Sequence, residues 1–192
     1  MPCKLKNSRY FDAHGFTLIE ILVVIAIVGI ITMIATPSFR SMLVSNEIRS
    51  AVNDWTLALQ TARSEAVRQR ARVTVCPSSD GSTCKSSSSY DIGWIVGVEK
   101  NDGSGDLSKV LQDFPPPSRV TMTTNLSIGQ KGKITYLANG LPVPGFFGFT
   151  MTVTEKSASP PANLTRYICV AKTGRPRVFN KAQYLALPGG GC

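Results

Sequence analysis

Histidine is almost absent from this 192-residue chain, because its single copy, His14, stands in a basic stretch ahead of the first apolar segment. The remainder of the chain therefore lacks the commonest general base and the commonest metal ligand of proteins. It also lacks a Gly-rich phosphate loop and any cofactor motif. These absences predict no catalytic residue, no metal and no cofactor, although a mechanism based on carboxylates or lysines stays open.

Acidic residues are missing from the last part of the chain, since Glu155 is the final one. Basic residues continue after it, among them Arg166, Lys172, Arg175, Arg177 and Lys181. The formal net charge of the whole chain is +9. A basic end of this kind favours an anionic partner, either a nucleic acid or a lipid surface. The alternative is a basic surface that only aids solubility.

A single long apolar run, Phe16 to Pro37, contrasts with the polar, loop-rich remainder. As a helix, the part that ends at Thr36 would measure about 31 Å, which is enough to cross a bilayer. A secretory signal would place its cleavage site after the apolar run, whereas here Gly15 precedes it. The lysines and the arginine of residues 1–15 predict that this stretch faces the cytoplasm.

Glu20 is the one charged residue in the apolar run. A carboxylate at the centre of a membrane helix costs about 2.5–3.5 kcal/mol on insertion scales, and less near the boundary. A simple anchor would gain nothing from it. A partner that explains it is the free amine that cleavage before Phe16 creates on a neighbouring subunit.

Residues 15–20, Gly-Phe-Thr-Leu-Ile-Glu, stand behind a short basic leader and head an apolar helix. They resemble the processing site of type IV pilins and pseudopilins. The resemblance implies that a prepilin peptidase cuts after Gly15, that Phe16 is N-methylated and that Glu20 sets the register of subunits in a filament. It also implies a single-pass inner-membrane protein with a periplasmic C-terminal domain, which then joins other pilins in an extracellular pilus. An ordinary single-span anchor is the alternative.

Helical periodicity continues past Pro37, because apolar residues recur every three or four positions. This stripe consists of Ile48, Ala51, Val52, Trp55, Ala58, Leu59, Ala62 and Ala66. It predicts one helix over residues 16–72, with its amphipathic part, 38–72, packed on a globular domain. A partner-binding face is the alternative.

From Val73 onward, short β-branched and aromatic runs alternate with turns, which favours antiparallel strands. The predicted strands are 73–75, 93–98, 107–112, 119–124, 132–137, 146–154 and 166–171. We therefore predict an α+β protein. Its parts are a cleaved leader (1–15), a transmembrane and assembly helix (16–37), an amphipathic continuation (38–72) and a β-rich globular domain (73–192).

The order of three further segments indicates which group of type IV pilin-like proteins this chain resembles. They are Ala-Arg-Ser-Glu-Ala at 62–66, Val-Thr-Val-Cys-Pro at 73–77 and Gly-Trp-Ile-Val at 93–96. Over residues 15–112 the chain resembles the GspH/FimT group of minor pilins and minor pseudopilins. The resemblance implies the type IV pilin fold, in which a long N-terminal helix packs on two small β-sheets.

Five cysteines are present, and Cys3 belongs to the leader. The four that remain indicate two disulfides in an exported domain. Spacing and order favour Cys76–Cys84, which closes a short loop, and Cys169–Cys192, which ties down the C-terminus. The alternative, a four-cysteine zinc site, lacks any C-x2-C spacing.

The segment Gly174-Arg175-Pro176-Arg177 has the chemistry of a phosphate-binding loop. Gly174 can adopt a positive φ, and Pro176 biases Arg175 toward an extended conformation. Arginines two residues apart on an extended segment project to the same side and present planar forks to phosphates.

This segment resembles the GRxR motif of FimT-like minor pilins, which bind DNA in natural transformation. The resemblance implies that Arg175 and Arg177 contact the backbone of double-stranded DNA, with Lys172, Lys181 and Arg166 nearby. For the segment, the alternative is a surface turn whose arginines are solvated or pair with a neighbouring subunit. For the protein, two other roles remain: a FimU-like minor pilin that primes pilus assembly, and a minor pseudopilin of a type II secretion system.

Overall fold

A computed structural model describes residues 16–125, 132–143, 149–157, 162–171 and 173–187. Gly15, Lys172 and Cys192 lie outside these ranges. The chain divides into two compact units, residues 1–41 and residues 42–192. The helices are α1 (Leu18–Gln69) and α2 (Lys181–Leu185). The strands are β1 (Val73–Pro77), β2 (Trp94–Glu99), β3 (Leu107–Phe114), β4 (Val120–Thr124), β5 (Ile134–Tyr136), β6 (Phe149–Glu155), β7 (Arg166–Val170) and β8 (Pro176–Asn180).

In the first unit, α1 starts directly after Thr17, whose Oγ1 accepts a hydrogen bond from the N–H of Glu20 at 3.3 Å. Glu20 is therefore the third helical residue, where a negative charge interacts favourably with the helix dipole. The side chains of residues 16–33 are solvent-exposed in the single chain. Among the described residues, no helix combines the length and the apolarity that crossing a membrane requires.

In the second unit, one face of α1 is buried in the core. The predicted apolar stripe is confirmed, because every member of it is at most 7% exposed. Trp55 lies at the centre, with its ring centroid 4.5 Å from that of Tyr90 and 5.8 Å from that of Trp94. The helix ends at Gln69, three residues before the predicted end, because Arg70 has a φ of 52° and leaves the helical region.

Two four-stranded antiparallel sheets pack with this helix, in the strand orders β3-β2-β1-β5 and β4-β6-β7-β8. The predicted α+β architecture, a long N-terminal helix packed on two small antiparallel sheets, is thus confirmed. Strand β8 and helix α2 were not predicted. Strand β8 lies at a sheet edge and contains a proline and an arginine, so it lacks the apolar alternation of a buried strand.

The disulfide between Cys76 and Cys84 is confirmed, with a Cα–Cα distance of 5.5 Å. Cys169 is also disulfide-bonded, and its predicted partner Cys192 lies outside the described residues. Because these three sulfurs are in disulfides, they are not available as the thiolates of a zinc site.

Candidate nucleic-acid interface

The predicted DNA-binding segment connects β7 to β8. Val170 pairs with Pro176 and Cys169 with Arg177, so the strands form a hairpin whose turn lies between Val170 and Pro176. We call the described turn residues Ala171, Thr173, Gly174 and Arg175, together with Arg177 at the start of β8, the hairpin tip. It is closed by two backbone bonds, from Gly174 N–H to Ala171 O at 2.8 Å and from Ala171 N–H to Arg175 O at 3.2 Å.

Gly174 fixes the hairpin tip on the body of the unit. Its φ is +76°, and a Cβ at this position would lie 2.9 Å from Cε1 of Tyr136 and 3.3 Å from Cδ of Pro142. The Tyr136 hydroxyl donates a 3.1 Å hydrogen bond to the Gly174 carbonyl. Burial raises the pKa of Tyr136, so this donor stays protonated. The predicted turn at Gly174 is confirmed, and no side chain fits there without displacing its neighbours.

Arg175 and Arg177 are both exposed. Arg177 lies on β8 opposite Cys169, on the sheet face that points away from the core residue Ile168. The ion pairs of the described residues involve other cations, namely Arg68, Arg72, Lys100 and Arg119. Within the described part of the chain, neither arginine of the motif is therefore neutralised by a carboxylate.

Arg166 and Lys181 lie at the opposite end of the hairpin. Arg166 pairs with Asn180, four residue steps from the Val170–Pro176 pair, which is about 13 Å along the strands. Its Nη1 donates to the carbonyls of Asn163 and Thr165, at 2.8 and 2.9 Å. The structure thus brings Arg175 and Arg177 together and places the other two described cations elsewhere.

Arg63 of α1 is a cation near the hairpin tip that the sequence did not reveal. A Cβ on Gly140 would lie 3.5 Å from Nε of Arg63, and a Cβ on Gly174 would lie 3.4 Å from the Gly140 carbonyl oxygen. The charge of Arg63 also opposes the rise in the pKa of Tyr136. No local pattern could have indicated this proximity, because the residues that meet here are far apart in the sequence.

Two tyrosines at the hairpin pack on each other. The rings of Tyr167 and Tyr184 are stacked with centroids 4.2 Å apart, and the two hydroxyls of Tyr184 and Thr150 are 3.2 Å apart. Each tyrosine thus has one ring face covered by the other. This arrangement does not resemble the row of open aromatic faces on which single-stranded nucleic acids stack.

Residues 51–174 match the protein family described as "Type II transport protein GspH". The chain belongs to the GspH family. Residues 11–36 of this GspH-family chain match the prokaryotic N-terminal methylation motif. The two matches confirm the resemblance to the GspH/FimT group and to type IV pilins.

Relatives of this GspH-family member are fimbrial proteins. A fimbrial protein of Pseudomonas aeruginosa is 33% identical over 91 residues, which are 47% of this chain and 54% of that protein. The chain thus matches about half the length of that relative. The type IV major fimbrial protein FimA of Dichelobacter nodosus is 26% identical over 149 residues, 68% of this chain and 85% of that protein.

The fold is shared with a solved minor pilin. A crystal structure of the type IV minor pilin FimU of Pseudomonas aeruginosa superimposes with a TM-score of 0.54 at 23% identity, over 70% of this chain and 89% of that one. A second crystal form of FimU gives a TM-score of 0.52. These likenesses establish the pilin fold.

Proposed function

We propose that this GspH-family protein is a minor type IV pilin that binds double-stranded DNA without sequence preference, in support of DNA uptake by natural transformation. The observation that carries the proposal is the hairpin tip. Gly174 packs the hairpin tip against Tyr136 and Pro142, while Arg175 and Arg177 are exposed and have no carboxylate partner among the described residues. Such forks bind phosphates, which supply most of the affinity of non-specific DNA binding.

We further propose that the N-terminus follows the pilin route. A prepilin peptidase cuts after Gly15, Phe16 is methylated, and Glu20 pairs with the new amine of a neighbouring subunit. The protein then resides in the inner membrane, with its globular unit in the periplasm, before it enters an extracellular pilus. The match of residues 11–36 to the methylation motif supports this route.

DNA binding can be tested on residues 42–192, which form a compact unit with a core of their own. We expect weak binding to duplex DNA that Arg175→Gln with Arg177→Gln nearly abolishes. The slope of log K against log salt should fall by about 0.9 for each phosphate that the variant no longer neutralises. Gel shifts over a series of salt concentrations measure both quantities.

A matched control is Lys109→Gln with Lys156→Gln, which removes the same charge from exposed positions outside the hairpin. If this control weakens binding as much as the arginine variant does, the basic charge acts diffusely and the hairpin tip is not the site. If the wild-type unit does not bind DNA at all, DNA binding is refuted.

A role in priming pilus assembly is the second candidate, and the fold shared with the minor pilin FimU favours it. A minor pseudopilin role in type II secretion is the third, favoured by the family description. Both predict incorporation into a filament without DNA binding, so the same titration separates them from the proposed function.

A further inference from the structure

A second basic site lies where α1 meets the base of the β7–β8 hairpin. There a groove of about 280 Å³ is lined by Arg49, Val52, Asn53, Arg166 and Val178. The helical residues are spaced by three and four positions and so share one face. Val178 pairs with Ile168 and therefore lies on the inner face of the sheet. We call this site the Arg49–Arg166 groove.

The two guanidinium groups of the groove differ in their hydrogen bonds within the protein. Arg166 is held by the carbonyls of Asn163 and Thr165 through Nη1, so its Nε and Nη2 donors remain for a ligand. Arg49 is exposed. No residue that lines the groove is acidic, and neither arginine forms an ion pair within the described ranges. The valines supply an apolar wall.

We infer that the Arg49–Arg166 groove binds an acidic side chain of a neighbouring pilin subunit. Paired arginine forks match a carboxylate. At about 280 Å³ the groove has room for one side chain. Val52 and Val178 can pack against the methylene groups of an aspartate or a glutamate, which a backbone phosphate lacks. Arg166 lies about 13 Å along the strands from the Val170–Pro176 pair, and Val178 lies on the sheet face opposite to that of Arg177, which separates the groove from the proposed DNA site.

The edge of β8 next to the groove favours a side-chain contact over strand pairing. The bond from Ala171 N–H to Arg175 O places the backbone groups of alternate residues, Pro176, Val178 and Asn180, on the outer edge. Pro176 has no N–H, and the N–H of Asn180 donates to Oε1 of Gln183 at 3.0 Å. Of these three residues only Val178 offers a free edge N–H, so an added strand would lack two of the three donors of a complete ladder.

The inference rests on the proposed assembly into a filament and is independent of DNA binding. The test uses the full chain in its own cells, with a photo-crosslinking amino acid at position 178, whose native valine is 45% exposed. In sheared, purified filaments, we expect a crosslink to another pilin at a peptide that contains Asp or Glu. Arg49→Gln with Arg166→Gln should lower the yield by about tenfold or more, since one charged hydrogen bond contributes about 1.5–3 kcal/mol.

Two controls make the result specific to the groove. The arginine changes should leave unaltered any product that the crosslinker gives at position 141, where Leu141 is 43% exposed. Lys109→Gln with Lys156→Gln, which removes the same charge elsewhere, should leave the yield at position 178 unaltered. Arg166→Glu should abolish the product, and an arginine in place of the mapped acidic residue of the partner should restore it.

Three results would overturn the inference: no crosslink in filaments that contain the protein, a yield that the arginine changes do not lower, or a crosslink to DNA. Immunoblots of the filaments distinguish a failure of filament assembly from a failure of the contact at the groove. Absence of the wild-type protein from filaments refutes assembly and this inference together. Its presence without the crosslink refutes this inference alone.

Discussion

The β1–β2 strand pair and the β7–β8 hairpin differ in whether a carboxylate neutralises their arginines. In the sheet β3-β2-β1-β5, Nε of Arg72 is 3.0 Å from Oε2 of Glu99, whose side chain is only 8% exposed. The other oxygen of that carboxylate accepts hydrogen bonds from the hydroxyls of Thr74 and Thr135, at 2.6 and 3.1 Å. In the sheet β4-β6-β7-β8, the arginines of the hairpin tip have no such partner among the described residues.

This difference separates two uses of the same side chain. A guanidinium that is neutralised inside the protein links strands and contributes little to the external field. A guanidinium without a carboxylate costs little at the surface, because water solvates it, and its field stays available to an anion. Removal of a charged group from the Arg72–Glu99 pair should therefore lower the folding stability, whereas removal of the hairpin arginines should lower the affinity for DNA.

The largest effect is expected from Glu99→Ala. It removes the acceptor that joins Thr74 on β1, Thr135 on β5 and Arg72 just before β1. Since Arg72 is half exposed and can be solvated, we expect a loss of about 2–3 kcal/mol in the free energy of unfolding. Urea denaturation measures it. DNA affinity under folding conditions should be unchanged. A loss of affinity would show that the sheet that contains Glu99 also contributes to the proposed DNA-binding site.

The next effect concerns the anchor of the hairpin tip. Gly103 and Gly174 both have a φ of +76°, but a Cβ on Gly103 would meet nothing within 4 Å. Gly103→Ala therefore measures the cost of the backbone conformation alone, about 1–2 kcal/mol. Gly174→Ala should cost more, because its Cβ also overlaps Tyr136, and it alone should weaken DNA binding. Equal losses of stability with unchanged DNA affinity would show that the tip needs no rigid anchor.

Much of this fold could be predicted from the sequence, because helical and strand periodicities reflect burial. The stripe around Trp55 and the run Val73–Val75 indicated their elements, and every residue of both is buried. Strand β8 could not be predicted, because an edge strand with Arg177 and an exposed Val178 shows no alternation. The Arg49–Arg166 groove could not be predicted either, since only the tertiary fold brings α1 beside β7.

A smaller, pH-dependent effect is expected at Glu47 of α1, which accepts hydrogen bonds from the backbone N–H groups of Ser118 and Arg119 at 2.6 and 2.8 Å. Burial raises the pKa of Glu47, but these bonds outweigh burial and lower it from its ordinary value of 4.5. The stabilisation is therefore complete above about pH 4.5 and is lost as the pH falls through the lower, folded-state value.

Glu47→Gln should accordingly lower the stability by about 1 kcal/mol at pH 7, and the deficit should shrink as the pH falls below 4.5. Thermal unfolding of both proteins between pH 7 and pH 3 measures this. A deficit that grows on acidification would contradict the direction of the shift.

The smallest effect on stability is expected from Arg175→Gln with Arg177→Gln. Both side chains are exposed and have no carboxylate partner in the described ranges, so the free energy of unfolding should change by less than about 0.5 kcal/mol. Arg72→Gln, which breaks the pair with Glu99, should cost more in the same urea titration. If the hairpin variant is destabilised as much as Arg72→Gln, then its arginines have internal partners, and the contrast between the β1–β2 pair and the hairpin is wrong. If the variant keeps its stability and no longer binds DNA, then the charges of Arg175 and Arg177 contribute to DNA binding and not to folding.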